Sequence, residues 1–407
     1  EPLVPENIGA KICRLQTSDG FERFITEIHR VISEAGHGAF FVFDSLSTLA
    51  ETWCSDRMLG NFFKLTCPYV YDRQSLAYFP LFRNSHSFHA LNPITETTQI
   101  FVEVYRRRGR VYVHPTKVQQ RYSATMYMLH EWVGDRFLPV RDSATIAEIL
   151  ASRPWAGVES IRFRLGRWNR LFLQAEEVWE GIESGHRSPE DAERLLPILL
   201  EMAISRDERL LRLARQYFTL SDVLDVWRRM IGTGLIGGKS VGMLLARAIL
   251  TKTNSRWSDL LEPHDSFFIG SDIFYSYLVE NGCWWLKQRQ GKPDCPPEDI
   301  EEARRRILMG KFPDYILDEF SEMLDYFGQS PVIVRSSSLL EDSYGNAFSG
   351  KYESVFCANQ GPHETRLQDF VSAVKTIYAS TMSEKALRYR AHRGLLDQDE
   401  QMSLLVQ

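Results

Sequence analysis

A polar stretch bounded by two short apolar runs lies near the end of the chain, at residues 332–357, VIVRSSSLLEDSYGNAFSGKYESVFC. It combines Arg335 with a run of serines, several acids, two glycines and a lysine. A guanidinium offers a fork of N–H donors that matches phosphate oxygens, and a glycine turn lets backbone N–H groups approach a phosphate closely. We therefore expect this stretch to hold a phosphorylated ligand.

The run VIV is predicted to be a buried strand that ends at Arg335, with the guanidinium at the sheet edge. The acids Glu341 and Asp342 follow, and they either hold Arg335 or Lys239 in place or cap the loop; the sequence leaves both open. A hairpin-like turn, AFSGKYES, then carries further polar groups. The residues of this stretch expected near the ligand are Arg335, Ser336, Ser349, Gly350, Lys351 and Ser354, with Glu341, Asp342 and Glu353 in support.

A second glycine-rich stretch, GTGLIGGKSVG, occupies residues 232–242. It fits G-x-G-x-x-G and nearly fits a phosphate loop, but both motifs should follow a buried strand, and the preceding segment carries charges at helical spacing. What remains is a glycine turn, then Lys239, then a helix begun by the hydroxyl of Ser240. A lysine beside a helix N-terminus suits a phosphate contact. A glycine-rich loop with a solvent-facing lysine fits the same residues, and both interpretations stay open.

Three regions are predicted to position these residues, and together they indicate an α/β fold followed by an α+β fold. Residues 1–121 alternate continuous apolar runs with helical periodicity, which predicts a parallel sheet ending in an antiparallel hairpin at Gly109. Residues 122–229 form a charged helical connector, with one helix stopping near Gly185 and the next starting after Ser188. Residues 230–407 contain both glycine-bearing stretches.

The run FFVFD places Asp44 at the carboxyl end of a predicted strand, where P-loop ATPases keep a magnesium-associated acid. This pattern resembles the second half of a RecA-like ATPase domain. No phosphate loop precedes Asp44 in the sequence, and such an acid cannot hold a nucleotide in the usual way without one. We interpret the region as a RecA-like remnant and Asp44 as a helix N-cap, with metal binding as the alternative.

Composition excludes several classes of protein. The chain has 407 residues and a formal net charge of -5, which gives no drive towards nucleic acid or an anionic membrane, so neither is expected as a partner. The six cysteines show no C-x-x-C spacing, so neither a zinc site nor a disulfide framework is indicated. There is no apolar run of about 18 residues and no signal-peptide pattern. A cytoplasmic location is expected.

Several motifs occur in an informative order: GLIGGKSVGMLL, then VIVRSSSLLEDSYGNAFSGKYES, then TMSEKALRYRAHRGL and a strand MSLLVQ. This order resembles the N-terminal nucleotide-binding domain of phosphoenolpyruvate synthase and pyruvate phosphate dikinase. That family shows a GGK turn, V-R-S-S-A-T-A-E-D, an S-F-A-G-Q turn and an R-A-x-x-Y-R helix before V-Q. The resemblance covers residues 231–407 and implies the first lobe of an ATP-grasp-like fold.

The resemblance also implies roles for single residues. Lys239 and Arg335 would contact the phosphates of ATP, the turn at 349–354 would close over them, and Gln407 would lie near the adenine. Two positions depart from the family pattern: residues 338–340, Ser-Leu-Leu, replace Ala-Thr-Ala, and Lys351 stands where the family has Gln. The extra lysine either adds phosphate affinity or marks a changed site.

In the family, the acidic Mg²⁺ ligands, the phosphohistidine domain and the acceptor-binding domain follow this lobe, so we expect the chain to be a piece of a longer protein. The leading interpretation is an ATP-dependent phosphotransferase that phosphorylates a histidine on another domain and passes the phosphate to pyruvate or another acceptor. This part alone is not expected to complete that reaction. The alternative is a nucleotide-sensing module without turnover, or a scaffold whose N-terminal half self-associates.

Overall fold

The computed structural model describes residues 11–17, 20–83, 85–150, 165–262, 264–290, 296–341, 348 and 350–407. Within these ranges helices and strands alternate along the chain and form three separate sheets. Two predicted site residues, Asp342 and Ser349, lie outside the described residues. Among the helices that the structure describes, none combines the length and apolarity needed to cross a membrane.

The first region is a small α/β unit. Its two strands pair in parallel, as predicted, but Phe40 and Val42 on the first strand are 61% and 64% exposed. One face of this sheet is therefore uncovered, although continuous apolar runs such as those of its strands are typical of strands buried on both faces. The elements are α1 (Phe21–Ala35), β1 (Phe40–Val42), α2 (Leu46–Trp53), α3 (Asp56–Asp72), β2 (Leu76–Tyr78) and α4 (Phe88–Thr97).

The prediction that Asp44 caps a helix is also wrong. Helix α2 begins at Leu46 with Ser45 in the N-cap position, and Asp44 is an exposed residue before it. An N-cap side chain reaches the N–H groups two or three residues ahead. The helix starts one residue too late for Asp44 to do so.

A four-stranded antiparallel sheet follows, separate from the parallel pair. The predicted hairpin at Gly109 is present, but the single sheet expected for residues 1–121 is two sheets. The second hairpin turns at Gly134, where φ is +61°, within a region interpreted as helical. Its strands have only four residues each, which is too short to show a clear alternation of apolar and polar residues in the sequence. The elements are β3 (Ile100–Arg107), β4 (Arg110–Val118), β5 (His130–Val133), β6 (Arg136–Pro139) and α5 (Ser143–Leu150).

Four helices then form a bundle with well-defined N-terminal caps. The Ser188 hydroxyl accepts from the N–H of Glu190 at 3.3 Å, at the helix start predicted from the sequence. Thr219 and Asp222 form a reciprocal capping box, which satisfies N–H groups that a helix end leaves unpaired. The helices are α6 (Arg167–Glu183), α7 (Pro189–Ala203), α8 (Glu208–Tyr217) and α9 (Leu220–Arg228).

The C-terminal region is built on a five-stranded sheet with the order β10-β9-β11-β8-β7. Strand β9 lies between β10 and β11 and is antiparallel to both. Strand β7 joins the edge in parallel with β8. The strands are β7 (Met230–Ile231), β8 (Phe267–Ile269), β9 (Val332–Ser338), β10 (Ser354–Cys357) and β11 (Met402–Val406).

Helices cover both faces of this sheet. Leu404 and Val406 belong to a core shared with α1, α3 and the C-terminal helices, whereas Phe268 and Leu405 belong to a core shared with α6–α9. Burial on both faces explains why all residues of β11 are buried and why all but Ser403 are apolar. The remaining helices are α10 (Gly238–Thr253), α11 (Arg256–Leu260), α12 (Ser271–Glu280), α13 (Trp284–Gln290), α14 (Pro297–Met309), α15 (Asp314–Phe327), α16 (His363–Ser380) and α17 (Glu384–His392).

Candidate functional site

The double glycine before Lys239 brings the N-terminus of α10 against the end of β9. A Cβ atom on Gly237 would lie 1.5 Å from the Ser337 carbonyl oxygen, and one on Gly238 would lie 1.9 Å from that of Glu341. Gly237 also has φ +81°, which side chains rarely adopt. Both glycines are therefore required for a close approach of two backbones, whatever ligand is bound.

Lys239 is held on β9 by three contacts. Its Nζ lies 2.7 Å from Oε1 of Glu341, 2.8 Å from the Ser336 hydroxyl and 3.0 Å from the Ser336 carbonyl oxygen. The lysine side chain is only 23% exposed. The interpretation of Lys239 as a solvent-facing lysine is therefore wrong, because its ammonium is anchored inside a polar junction.

Glu341 is the buried centre of this junction. Its Oε1 accepts from Lys239 and from the Ser336 hydroxyl at 3.1 Å, and its Oε2 accepts from the N–H of Ser338 at 3.0 Å. Burial raises the pKa of Glu341, while Lys239 and the hydrogen bonds oppose that rise. Of the two roles left open for this acid, the structure supports the one in which it holds a basic side chain, and that side chain is Lys239.

Serines tie β9 to α10 in a way that the sequence did not reveal. The Ser337 hydroxyl accepts from the N–H of Ser240 at 3.1 Å and donates to the Ile236 carbonyl at 2.9 Å. Helix α10 begins at Gly238, so Ser240 does not begin it. Strand β9 likewise continues through Ser338 in the interior of the sheet and does not end at an edge at Arg335. Hydroxyls bonded to a neighbouring loop allow a polar strand end to be buried.

Arg335 contacts Gln407 on the neighbouring strand end. Arg335 Nη1 lies 3.3 Å from Gln407 Oε1, and Gln407 Nε2 lies 3.2 Å from Sδ of Met243. Met243 follows Lys239 by four residues on α10, so the two side chains share one face of that helix. Arg335, Gln407 and Lys239 are therefore brought to the same side of α10, although they are distant in sequence.

The glycine turn before β10 is partly described. Gly350 has φ +64°, and the N–H of Lys351 bonds the Phe348 carbonyl at 2.9 Å, which closes the turn. Lys351 Nζ lies 5.1 Å from the centre of the Tyr389 ring on α17. At the strand itself, Ser354 pairs in register with Arg335. The turn thus adjoins Arg335 through β10, while the Lys351 ammonium is directed to α17.

A buried acid that sequence reasoning missed anchors this turn. The Glu400 carboxylate accepts from the Tyr352 hydroxyl and from Arg390 Nη1, the latter at 2.5 Å. Glu400 is fully buried and Arg390 is 5% exposed. The supporting acid predicted in the turn, Glu353, is exposed. Glu400 lies in the loop before β11 and is part of no recognisable sequence motif.

Backbone N–H groups in the first half of the glycine-rich stretch are hydrogen-bonded to carboxylates. Asp272 accepts from the N–H of Thr233 at 2.8 Å and from its hydroxyl at 2.6 Å, and Glu319 accepts from the N–H of Gly232 at 3.2 Å. Arg57 joins the two acids, with 2.6 Å between its Nη2 and Glu319 Oε1. A dinucleotide-binding motif would offer these backbone N–H groups to its ligand. Here they are already bonded to carboxylates, which agrees with the rejection of that motif from the sequence.

No group of three or more His, Cys, Asp or Glu side chains in the described ranges is arranged to hold a metal ion. Asp44, the candidate metal ligand from the sequence, is exposed on the N-terminal unit. The junction contains two cationic side chains, Lys239 and Arg335, and the hydroxyl of Ser336. Such groups suit the anionic oxygens of a phosphate.

Comparison with known families gives one match. Residues 233–407 match the family model described as pyruvate phosphate dikinase, AMP/ATP-binding domain. The match confirms the resemblance to the phosphoenolpyruvate synthase and pyruvate phosphate dikinase family for this part of the chain. It begins inside the glycine-rich stretch and includes Lys239, Glu341, Arg335 and Gln407. No curated protein sequence matches the chain significantly.

Proposed function

We propose that the protein is the ATP-binding part of a phosphotransferase of the pyruvate phosphate dikinase type. The observation that carries the proposal is the convergence of Lys239, Arg335 and Gln407 on one side of α10, within residues matched by an AMP/ATP-binding domain. Two cations there would neutralise triphosphate charge, and Gln407 is proposed to lie near the adenine. Phosphoryl transfer depends mainly on such positioning and charge neutralisation.

In the proposed complex, the phosphates share the Lys239 ammonium with Glu341. A lysine ammonium carries three N–H donors, so Lys239 can keep its bond to Glu341 and exchange a contact with Ser336 for one with a phosphate oxygen. The turn containing Ser349, Gly350 and Lys351, continued by Ser354, is proposed to close over the phosphates, with Ser336 beside them. Asp342 is proposed to support this loop, as is Glu353.

The finer chemistry belongs to the same proposal. A phosphoryl group of ATP would pass to a histidine on another domain and from there to pyruvate or another acceptor. Mg²⁺ would be held mostly by acids on another domain, outside this chain. A cytoplasmic location remains a prediction.

ATP binding to the chain tests the first step. We expect Lys239→Ala and Arg335→Ala each to raise the Kd for ATP at least tenfold, about 1.4 kcal/mol. Arg388→Ala is a matched control, since Arg388 pairs with Glu384 on an exposed helix face. Unchanged Kd values in both site variants would refute the assignment of the phosphate contacts.

A nucleotide sensor without turnover is the second candidate. It is favoured by the Lys239–Glu341 ion pair, which already neutralises the lysine charge. The two functions differ in one measurement on the full-length protein: incubation with ATP labelled at the β-phosphate and, in parallel, with ATP labelled at the γ-phosphate. Label that becomes acid-labile and protein-bound, as expected for phosphohistidine, supports the phosphotransferase; tight ATP binding without labelling supports the sensor.

The N-terminal region is proposed to be a RecA-like remnant that serves as a scaffold. Arg57 on α3 supports this role, because its ion pairs to Asp272 and Glu319 join that region to the nucleotide-binding lobe. Self-association through the exposed face of β1 and β2 is part of this proposal. Light scattering of the whole chain, with Phe40→Glu as the test variant, measures it directly.

A further inference from the structure

A cavity of about 440 Å³ lies where the helices before residue 233 pack on the nucleotide-binding lobe. One wall comes from α9 and from Phe218, and the other from α10 and Phe268 on β8. Its volume falls within the range of about 300–1,000 Å³ that is usual for small-molecule sites. Neither Lys239 nor Arg335 lines it, and α9 lies outside the matched residues 233–407. The cavity is therefore distinct from the proposed ATP site.

The floor of this cavity is apolar. Val223 and Phe268 are each 1% exposed, and Phe218 is 5% exposed. Leu244 on α10 continues the same surface. An alkyl chain or a ring placed here would leave water at a gain of about 25 cal/mol for each Å² of apolar surface buried. A ligand of this cavity should therefore have an apolar body.

Three of the four charged side chains at the cavity are already engaged. Arg229 bonds Asp265, Asp225 accepts from Arg228 at 3.0 Å, and Asp222 closes the capping box of α9. Their charges are largely compensated within the chain. They leave little attraction for a charged ligand of either sign.

Arg247 is the exception. It donates to the backbone carbonyls of Glu262 and Leu261, at 2.6 and 3.4 Å, and both partners are neutral. His264 also lines the cavity, and its Nδ1 is buried without a hydrogen-bond partner among the residues that the structure describes. Burial lowers the pKa of His264, and Arg247 and Arg229 lower it further, which favours a neutral ring. Within the part of the chain that the structure describes, Arg247 thus has no anionic partner and the Nδ1 atom of His264 has no hydrogen-bond partner.

We propose that this cavity binds a small amphipathic carboxylate. The carboxylate pairs with Arg247, whose planar fork of N–H groups matches two carboxylate oxygens. The His264 Nδ1 atom offers a polar position beside it. The apolar body lies between α9 and α10 against Phe268 and Val223.

Isothermal titration calorimetry of the full chain with octanoate tests the proposal. We expect saturable binding of one octanoate per chain, with a negative heat-capacity change from the buried alkyl chain. Neutral 1-octanol and cationic octylamine should each bind at least tenfold more weakly. Arg247→Met keeps the apolar stem of the side chain and should weaken octanoate binding by a similar factor.

Two alanines on α10 provide a matched pair that separates this cavity from other apolar surfaces. Ala248 lines the cavity, whereas Ala246 is exposed on the same helix. Ala248→Phe should abolish octanoate binding, and Ala246→Phe should retain it, with circular dichroism checking that both variants fold. The proposal is overturned if octanoate shows no saturable binding, if octylamine binds as tightly as octanoate, or if folded Ala248→Phe binds octanoate like the wild type.

Discussion

Nζ of Lys239 and Oε1 of Glu341 lie 2.7 Å apart, and this ion pair joins the first turn of α10 to the end of β9. The two residues are separated by about a hundred positions in sequence, and the carboxylate is 2% exposed. The ion pair depends on both segments, because the glycine turn supplies the ammonium and the residues after β9 supply the carboxylate. The pair orients the ammonium before any phosphate arrives, which lowers the cost of ordering it on binding.

Removing the charge of Glu341 should destabilise the fold. Glu341→Gln leaves Lys239 without its buried anion, and we expect a loss of about 1–3 kcal/mol in the free energy of unfolding. Urea denaturation followed by circular dichroism measures it. Glu384→Gln, in an exposed i,i+4 pair with Arg388, is the control and should have a much smaller effect. Equal losses in the two variants would contradict a structural role for Glu341.

Substitution by alanine should destabilise the chain at two of the glycines near Lys239 and stabilise it at a third. Gly237→Ala and Gly238→Ala place a Cβ within 2 Å of a carbonyl oxygen of β9 or the loop after it, so both should strongly destabilise the chain or prevent folding. Gly242 lies inside α10 with open space around it. Gly242→Ala should therefore stabilise the chain by about 0.5–1 kcal/mol. Thermal unfolding of the three variants checks the sign of each change.

The anchor of the glycine turn can be tested with a single hydroxyl. Tyr352→Phe removes the hydrogen bond to the buried Glu400 and should lower the free energy of unfolding by about 1–3 kcal/mol. Tyr326 also bonds an acid, Asp265, but is 54% exposed. Tyr326→Phe should stay within about 0.5 kcal/mol of the wild type. A Tyr352→Phe variant as stable as the wild type would show that the turn does not depend on this contact.

Asp399 should make stability depend on pH. Burial and the nearby Glu22 raise the pKa of Asp399 to about 7. The unfolded chain loses this proton near pH 4, about three units earlier, so between pH 4 and 7 the folded state binds more protons. This group therefore lowers stability as the pH rises through that window, and its contribution is constant above it.

The variant Asp399→Asn isolates the effect, because an asparagine oxygen can still accept from the N–H of Glu22 at the start of α1. Its stability relative to the wild type should improve from pH 4.5 to about pH 7 and then level off towards pH 8 in urea denaturation. Asp397→Asn, at an exposed position in the same loop, is the matched control and should follow the wild-type curve. A constant difference between Asp399→Asn and wild type across this range would contradict the prediction.

The sequence by itself determined the identity of the C-terminal domain and many of its elements. Ordered motifs around Lys239, Arg335 and Gln407 predicted the family that residues 233–407 match. Buried strands such as β11 are mostly apolar, and helix starts such as Ser188 carry local capping signals. Such features are local, because propensity and capping depend on neighbours a few residues away.

Only the tertiary structure decided which polar groups meet. The Glu341 partner of Lys239, the Gln407 partner of Arg335 and the Glu400 anchor of Tyr352 are contacts across many residues. The burial of β9 through Ser338 likewise depends on hydroxyls bonded to a distant loop. The short β5–β6 hairpin is stabilised by pairing with β4, not by its own four-residue strands. Long-range contacts of this kind leave no periodic signal in a single sequence. They become visible only when the chain is folded and distant residues meet.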